Sequence, residues 1–531
     1  MKSNHKNQIK KLNNFKNKIL VLISIFIFSF IIRYTYGNFE LPLIGDSLNY
    51  FLYASEISIK NQIPNYTIGN NVWSIFLSGL FSILKFETVL EYMQAQKFLT
   101  VLISSLTVIP VYFITKKFFN TKLSFLGAIF FAVEPRLILN SSLGITEPLF
   151  IFLLALILSL FLTDNRKLII LSFCITAFLT MIRTEGIFLF FAISIIFLIK
   201  HRKDRLVIPR YLLILFLFII ILYPIMQYRN ETLGHDGIFD KIRYGVEGHI
   251  IGSDNFSSKA IEKIGTNTQI TFIKNGIINF SKFLGWDLIP LFILFLPIGI
   301  IFLLKNFNLN KATIVLSIIS LSIPAFYAYS IPLEDTRYLF GLYPMLIIIS
   351  LFGIEKIISK FKKENLVFNS IIVAIIFSSL LFLTFESTNY QYEKEIFQIN
   401  QTLNNLKIIA NDFTPESRYL KSSNVLIEYD LFYQHIVNND KDNKSVNEII
   451  PEKTILISTK DYSSLKEFIL DNKNNNLTHI ITDDSIKRQK FLREIFENES
   501  NYPFLEKEFD SSELGYNYHL KLFRINYDKY N

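Results

Sequence analysis

The sequence has little of what soluble enzymes are usually built from. It holds one cysteine, Cys174, inside an apolar run. One thiol makes neither a disulfide framework nor a cysteine-based zinc site. Only 19% of the 531 residues are charged, and mean hydropathy is +0.35. A soluble chain of this length would form several domains and need far more polar surface to cover them. The 7 histidines include no HExxH pair, and the polar C-terminal tail has no glycine-rich phosphate loop or nucleotide fingerprint. Disorder is excluded by the opposite excess, 53 Phe and 26 Tyr.

What is present is apolar length. Apolar runs fall at about 19–36, 98–115, 123–140, 148–163, 168–182, 186–199, 207–227, 288–304, 312–329, 338–353 and 367–385. Runs of this length match the thickness of a bilayer. They predict a polytopic α-helical membrane protein of about eleven spans. The first run follows a basic, Asn-rich segment, 1–18, and no small-residue cleavage site follows it. It reads as a retained span behind a short cytoplasmic tail. The weaker stretch Val72 to Leu84 reads as a helix at the membrane interface.

The net charge of +9 gains meaning only when divided by side. Lys116, Lys117, Lys122, Arg166, Lys167, Lys200, Arg202, Lys203, Arg205, Lys305, Lys311 and Lys356 to Lys363 fall in one set of loops. The opposite short loops carry only Arg183 and Arg337. The bias predicts a multi-pass cell-membrane protein with a cytoplasmic N-terminus. The segments 37–97, 228–287 and 386–531 then lie outside. In the tail, β-type runs at Val425–Tyr429, Thr454–Ser458, His479–Thr482 and Tyr518–Tyr527 alternate with helix-like runs at Ser463–Asp471 and Ser485–Glu497. That alternation predicts a small α/β domain over 386–531, beyond a membrane domain over 19–385.

Ionisable residues at span ends are costly and therefore candidates for function. Asp46 opens a helix-like stretch that contains Glu56; it suits either a helix cap or a general base. Glu147, in Thr-Glu-Pro, suits a helix start or a site. Glu134 and Arg136 suit a structural pair or part of the same cavity. Arg183 and Glu185 share a tight turn between two spans, and Asp335 and Arg337 open another span ahead of Tyr343. An arginine there can meet lipid headgroups or hold a phosphate by its planar fork. His235, Asp236, Asp240 and His249 follow no metal-ligand spacing, and no cofactor or metal is indicated.

The acid after the first span, the interfacial helix, Thr146-Glu147-Pro148-Leu149-Phe150, Arg183-Thr184-Glu185-Gly186 and Arg337-Tyr338-Leu339-Phe340-Gly341-Leu342-Tyr343-Pro344 together resemble the GT-C integral membrane glycosyltransferases. They are most similar to family 39, the protein O-mannosyltransferase and aminoarabinose-transferase group. The resemblance spans about 19–385. It implies inverting sugar transfer from a polyprenyl-phosphate donor to a protein, lipid or glycan acceptor on the extracytoplasmic face. It implies Asp46 as base, Arg337 and Arg183 on the donor phosphate, and Glu147 lining the sugar or acceptor site. Glu185, Glu56, Asp335 and Tyr343 join as substrate-binding candidates. Many members carry two adjacent acids in the first loop; here Ser47 follows Asp46. The Trp-Trp-Asp motif of the oligosaccharyltransferase subgroup is absent. Membrane lipid is an expected partner and nucleic acid is not. A lipid-linked sugar transporter or flippase and a non-catalytic scaffold are the competing readings.

Overall fold

A computed structural model describes residues 2–58, 64, 66, 71–84, 86–234, 236–239, 268–331, 333, 335–386, 389–413, 417–437, 454–485 and 488–530. The described chain divides into two compact units. The first comprises Met1–Gly37, Tyr53–Leu80 and Gln96–Ser387. The second comprises Asn38–Leu52, Phe81–Ala95 and Thr388–Asn531. The expected outer loop 37–97 is thus shared between the two units.

The first unit is helical. Its described elements are α1 (Lys2–Thr35), α2 (Asp46–Ser58), α3 (Asn71–Ile83), α4 (Val89–Leu106), α5 (Val108–Thr115), α6 (Thr121–Ala132), α7 (Pro135–Ser141) and α8 (Glu147–Phe161). There follow α9 (Arg166–Ile182), α10 (Gly186–His201), α11 (Val207–Leu233), α12 (Thr268–Asp287), α13 (Leu296–Leu304) and α14 (Leu309–Ser330). A 3-10 segment (Thr336–Leu342) then leads into α15 (Tyr343–Ile358) and α16 (Glu364–Glu386). The unit boundary falls inside α2, α3 and α4.

Each of the eleven apolar runs coincides at least partly with helix. Among the described residues, six helical stretches are long and apolar enough to cross a membrane, and the bent pair α6–α7 makes a seventh if it is one span. The runs at 148–163, 168–182, 186–199 and 288–304 give the shorter α8, α9, α10 and α13. The 9 residues of α13 rise only about 14 Å, half a hydrocarbon core. Glycines bring α13 against α15. A Cβ on Gly299 would meet Ile349 O at 1.9 Å, and one on Gly353 would meet Phe295 O at 2.4 Å. Close backbone approach of this kind is how apolar helices gain contact where no solvent drives them together. The loop expected over 228–287 is partly helical, since α11 runs into it and α12 ends it; 240–267 lies outside the described residues.

The α6–α7 break shows how the membrane unit handles a buried charge. Pro135 disfavours helical backbone at the residue before it, and Glu134 is extended, with φ −62° and ψ 115°. The two helices bend by 52° there. The bend leaves carbonyls at the end of α6 in need of donors. Arg33, fully buried on α1, donates from Nη2 to Phe131 O (3.1 Å) and from Nη1 to Ala132 O (2.7 Å). Its Nε donates to Ser104 Oγ (2.9 Å), and the Ser379 hydroxyl donates to Val133 O.

The second unit has a five-stranded sheet, built from β1 (Ile409–Asn411), β2 (Ile455–Ile457), β3 (His479–Asp483), β4 (Leu505–Asp510) and β5 (Leu520–Ile525), in the order β2-β1-β3-β5-β4. β1 is parallel to β2 and β3; β5 is antiparallel to β3 and β4. Its helices are α17 (Tyr390–Asn405), α18 (Arg418–Val437), α19 (Leu465–Asn472) and α20 (Lys490–Glu497). Alternation along the strands fills two cores. Ile481, Leu520 and Leu522 pack with Ile396 and Leu403 of α17. Ile480, Phe523 and Ile525 pack with Phe468 of α19 and Leu492 of α20. Segment 38–52 joins this unit through Leu41 in the first core, the Lys394–Glu40 ion pair and the Ser422 hydroxyl on Leu43 O.

The strand expected at Val425–Tyr429 is instead inside α18. Tyr419, Ser422, Ser423 and Leu426 are buried at helical spacing, so the period of burial overrides the β-favouring composition of that short run. Strands β1 and β4 were not anticipated.

Replacing Arg33 with Met should strip the donors from the α6 end. The expected loss is about 2–4 kcal/mol, the cost of leaving buried carbonyls unsatisfied. It should appear as a lower thermal midpoint in detergent, with partial recovery in Arg33→Lys. An unchanged midpoint would mean that the carbonyls find other donors.

Candidate active site

Four helix ends of the first unit bring charged side chains to one cleft. α8 begins at Glu147, with Pro148 in its first turn, where a missing N–H costs nothing. The turn from α9 to α10 carries Arg183 and Glu185. The 3-10 segment after α14 carries Arg337, preceded by Asp335, whose carboxylate accepts from the Arg337 N–H at 2.9 Å. Glu147, Phe150, Arg183, Glu185, Arg337 and Tyr338 are among the residues that line this narrow cleft.

Glu147 is the hub. Its Oε1 accepts from Arg183 Nη1 at 2.6 Å and lies 3.9 Å from Arg337 Nη1. Arg183 also donates from Nε (3.0 Å) and Nη2 (2.7 Å) to Glu185 Oε1. Arg337 donates from Nε to Asp335 Oδ2 at 2.7 Å, with Nη2 at 2.6 Å from the same oxygen. The two arginines differ in exposure. The Arg183 side chain is 12% exposed and Glu147 7%, whereas Arg337 is 30% and Asp335 33%. The Arg183–Glu147 pair is therefore held out of water, while the Arg337–Asp335 pair is screened and contributes only about 0–1 kcal/mol. Among the described residues, two guanidiniums face three carboxylates, a net charge of −1. The Phe150 ring supports the Arg183 guanidinium at 5.5 Å.

A second cluster is more deeply buried. Arg136 donates to the Ile289 and Trp286 carbonyls at the end of α12, and lies 3.4 Å from Asp287 and 3.8 Å from Glu134. Its guanidinium sits over Phe382 at 4.6 Å. Glu134, Asp287 and Tyr343 are all essentially unexposed. Tyr343 thus belongs with this cluster and does not line the cleft. Glu56, half-buried, also does not line it. Asp46, exposed in the first turn of α2, is part of the second unit.

Arg33 and Asp287 were not anticipated, although Arg33 interrupts an apolar run and carried a usable signal. Of the loop residues weighed as metal ligands, His235, Asp240 and His249 lie outside the described residues. Among the described residues there is no group of three or more His, Cys, Asp or Glu placed to hold a metal ion.

Gly341 fixes how closely the 3-10 segment approaches α8. A Cβ there would lie 2.8 Å from Phe150 Cε1, so the ring beneath Arg183 would have to move. Gly341→Ala should cost about 1–3 kcal/mol by overpacking, read as a lower thermal midpoint. Gly341→Ala combined with Phe150→Leu should regain most of it. No loss in the single variant would show that the contact is slack.

Solved structures similar to this chain include GT-C membrane glycosyltransferases, and this chain has their fold. The ArnT structure from Cupriavidus metallidurans bound to undecaprenyl phosphate matches with a TM-score of 0.52 and 10% identity, covering 95% of this chain and 97% of that one. Its apo form matches with a TM-score of 0.52 and 9% identity, covering 96% and 98%. The Archaeoglobus fulgidus oligosaccharyltransferase in complex with zinc and sulfate matches with a TM-score of 0.51 and 12% identity, covering 87% and 68%. No curated protein matches the sequence. The family described as "Predicted membrane protein (DUF2079)" matches residues 88–421, well over half of the 531 residues, and the chain belongs to that family.

Proposed function

We propose that this protein is an inverting glycosyltransferase that takes a sugar from a polyprenyl-phosphate donor and passes it to an acceptor on the extracytoplasmic side. The observation that carries the reading is the pair of arginines meeting on Glu147 in an open cleft of the membrane unit. The fold shared with an ArnT bound to undecaprenyl phosphate supports it. The orientation expected from the basic loops, with the N-terminus cytoplasmic and the tail outside, is part of the proposal, as are about eleven crossings.

In this reading Asp46 takes the proton of the acceptor hydroxyl. The hydroxyl oxygen attacks C1 of the sugar, and the bond from C1 to the phosphate oxygen breaks with inversion. The leaving phosphate keeps the electron pair. Arg337 meets the charge that grows on it. That role suits Arg337 because its hold on Asp335 is weak enough to exchange. Arg183, locked between Glu147 and Glu185, acts mainly by holding Glu147 in place. Glu147, Glu185 and Asp335 line the sugar or acceptor side, and Glu56 and Tyr343 remain proposed substrate contacts. Protein, lipid and glycan acceptors are all compatible with this chemistry, and no cofactor enters it.

The test is sugar transfer in native membranes with radiolabelled polyprenyl-phosphate sugars. Asp46→Asn should lower the rate by about 10²–10⁴ and Arg337→Ala by about 10²–10³, at normal protein levels. Transfer that survives Asp46→Asn would remove the proposed base. No transfer by the unaltered protein with any donor would favour a transporter or a scaffold.

A further inference from the structure

The first unit has another pocket, which the transfer reading does not use. α9 packs against both α10 and α11. At one end of this trio, Arg183 follows α9 and Glu185 precedes α10, both in the cleft. The pocket lies at the other end, where α9 starts at Arg166, α10 finishes at His201 and α11 starts at Val207. The 17 residues of α9 put about 25 Å between the two ends. That is most of the thickness of a hydrocarbon core, so the cleft and the pocket belong to opposite ends of the membrane unit.

Its walls are apolar and its charged groups are cationic. Ile169, Ile170, Phe197 and Val207 line it together with Arg166, Arg210 and His201. The His201 ring packs on Phe197, 4.9 Å between centroids. The two guanidiniums converge on one atom. Asp204 Oδ2 lies 3.3 Å from Arg166 Nη2 and accepts from Arg210 Nη1. Asp204 is fixed by its other oxygen, Oδ1, which accepts from Leu206 N at 3.0 Å. The shared oxygen engages one nitrogen of each arginine, and a guanidinium has five N–H donors, so donors remain on both. Both side chains are reachable, Arg166 being 63% exposed and Arg210 30%.

The charge balance is the reverse of that in the cleft. Here two guanidiniums share one carboxylate, a net +1. Lys167, Lys200, Arg202, Lys203 and Arg205 flank them on the same chain segments, against Asp164 alone. An anion can therefore join the two arginines without displacing Asp204. The planar fork of arginine suits phosphate, and the surrounding surplus favours a net negative headgroup over a zwitterionic one. The apolar walls call for a ligand with an apolar part. On the outward face of α11, Ile208, Leu212 and Phe216 are each more than half exposed, a surface that acyl chains would cover. We propose that this pocket binds the phosphate of an anionic phospholipid, with the upper part of its chains against the apolar walls. In the orientation proposed above, the lipid belongs to the cytoplasmic leaflet. The inference rests on that membrane placement and not on sugar transfer in the cleft.

The experiment is native mass spectrometry of the delipidated full chain in detergent. The probe is palmitoyl-oleoyl phosphatidylglycerol, with phosphatidylcholine of the same chains as reference. Phosphatidylglycerol should bind about fivefold more tightly than phosphatidylcholine, and its affinity should fall about fivefold in Arg166→Gln and in Arg210→Gln, the scale of one cation at an anionic headgroup. It should be unchanged in Lys203→Gln, which removes an exposed charge that does not line the pocket, and in Arg337→Ala, which alters the cleft. Glycerol phosphate, a headgroup without chains, should not displace the lipid. Thermal midpoints control for folding. Because Arg166 is mostly exposed, Arg166→Gln decides alone if the Arg210 variant melts early. Equal binding of the two lipids, binding that survives Arg166→Gln, an equal loss in Lys203→Gln, a loss confined to Arg337→Ala, or displacement by glycerol phosphate would each overturn the proposal.

Discussion

A charge inside an apolar bundle must find a partner or be driven out, and in the membrane unit the partners come from broken helices. Arg33 is fully buried on α1, yet it is satisfied because the α6–α7 break frees the Phe131 and Ala132 carbonyls. Arg136 is held likewise by the Trp286 and Ile289 carbonyls where α12 ends. Without the breaks these side chains would be unpaired in hydrocarbon, at a cost of several kcal/mol. Without the side chains the open carbonyls would be the liability. Each explains the other, and together they fix where the chain departs from simple crossing helices.

The same device builds the cleft. Glu147 sits at a helix start, Arg183 and Glu185 in a turn, and Asp335 and Arg337 in a 3-10 segment. Backbone at such ends is irregular, which a membrane protein tolerates where the irregularity is packed against protein or lines a cavity. Charged side chains therefore gather where regular structure is already interrupted. Phe150 and Gly341 add the steric floor that keeps these ends in register.

Much of this was legible in the sequence because its signals are local. An apolar run announces a helix, and Thr-Glu-Pro announces a helix start. Glu147, Arg183, Glu185, Asp335 and Arg337 are each conspicuous as charges at span ends, and these five residues, from three separate segments, do meet. What could not be read is which ends meet. Tyr343 sits in the same motif as Arg337 but joins the deeper cluster with Glu134 and Asp287, because the 3-10 segment turns the chain between them. Asp287 looked like the end of a polar loop; α12 makes it the end of a helix instead. In the second unit, β1 has only 3 residues, too few for any alternation to register. Val425–Tyr429 had strand-like composition and became helix because burial follows a helical period there.

The chemistry of the cleft turns on the difference between its two arginines. A site with two cations and three carboxylates is not a ready-made hole for a phosphate. An anion entering it must replace a carboxylate at a guanidinium, and the exchange is cheapest where the existing pair is weakest. The Arg183–Glu147 contact is short and sheltered, so breaking it would leave a buried carboxylate unpaired, which is expensive. The Arg337–Asp335 pair is about one-third exposed on both sides, so solvent can replace either partner at lower cost. The buried pair then serves as a fixed frame and the exposed one as the exchangeable contact. In the proposed reading, this division of labour lets an anionic donor be held without a positively charged pocket, and released once the phosphate is free and Asp335 competes for Arg337 again.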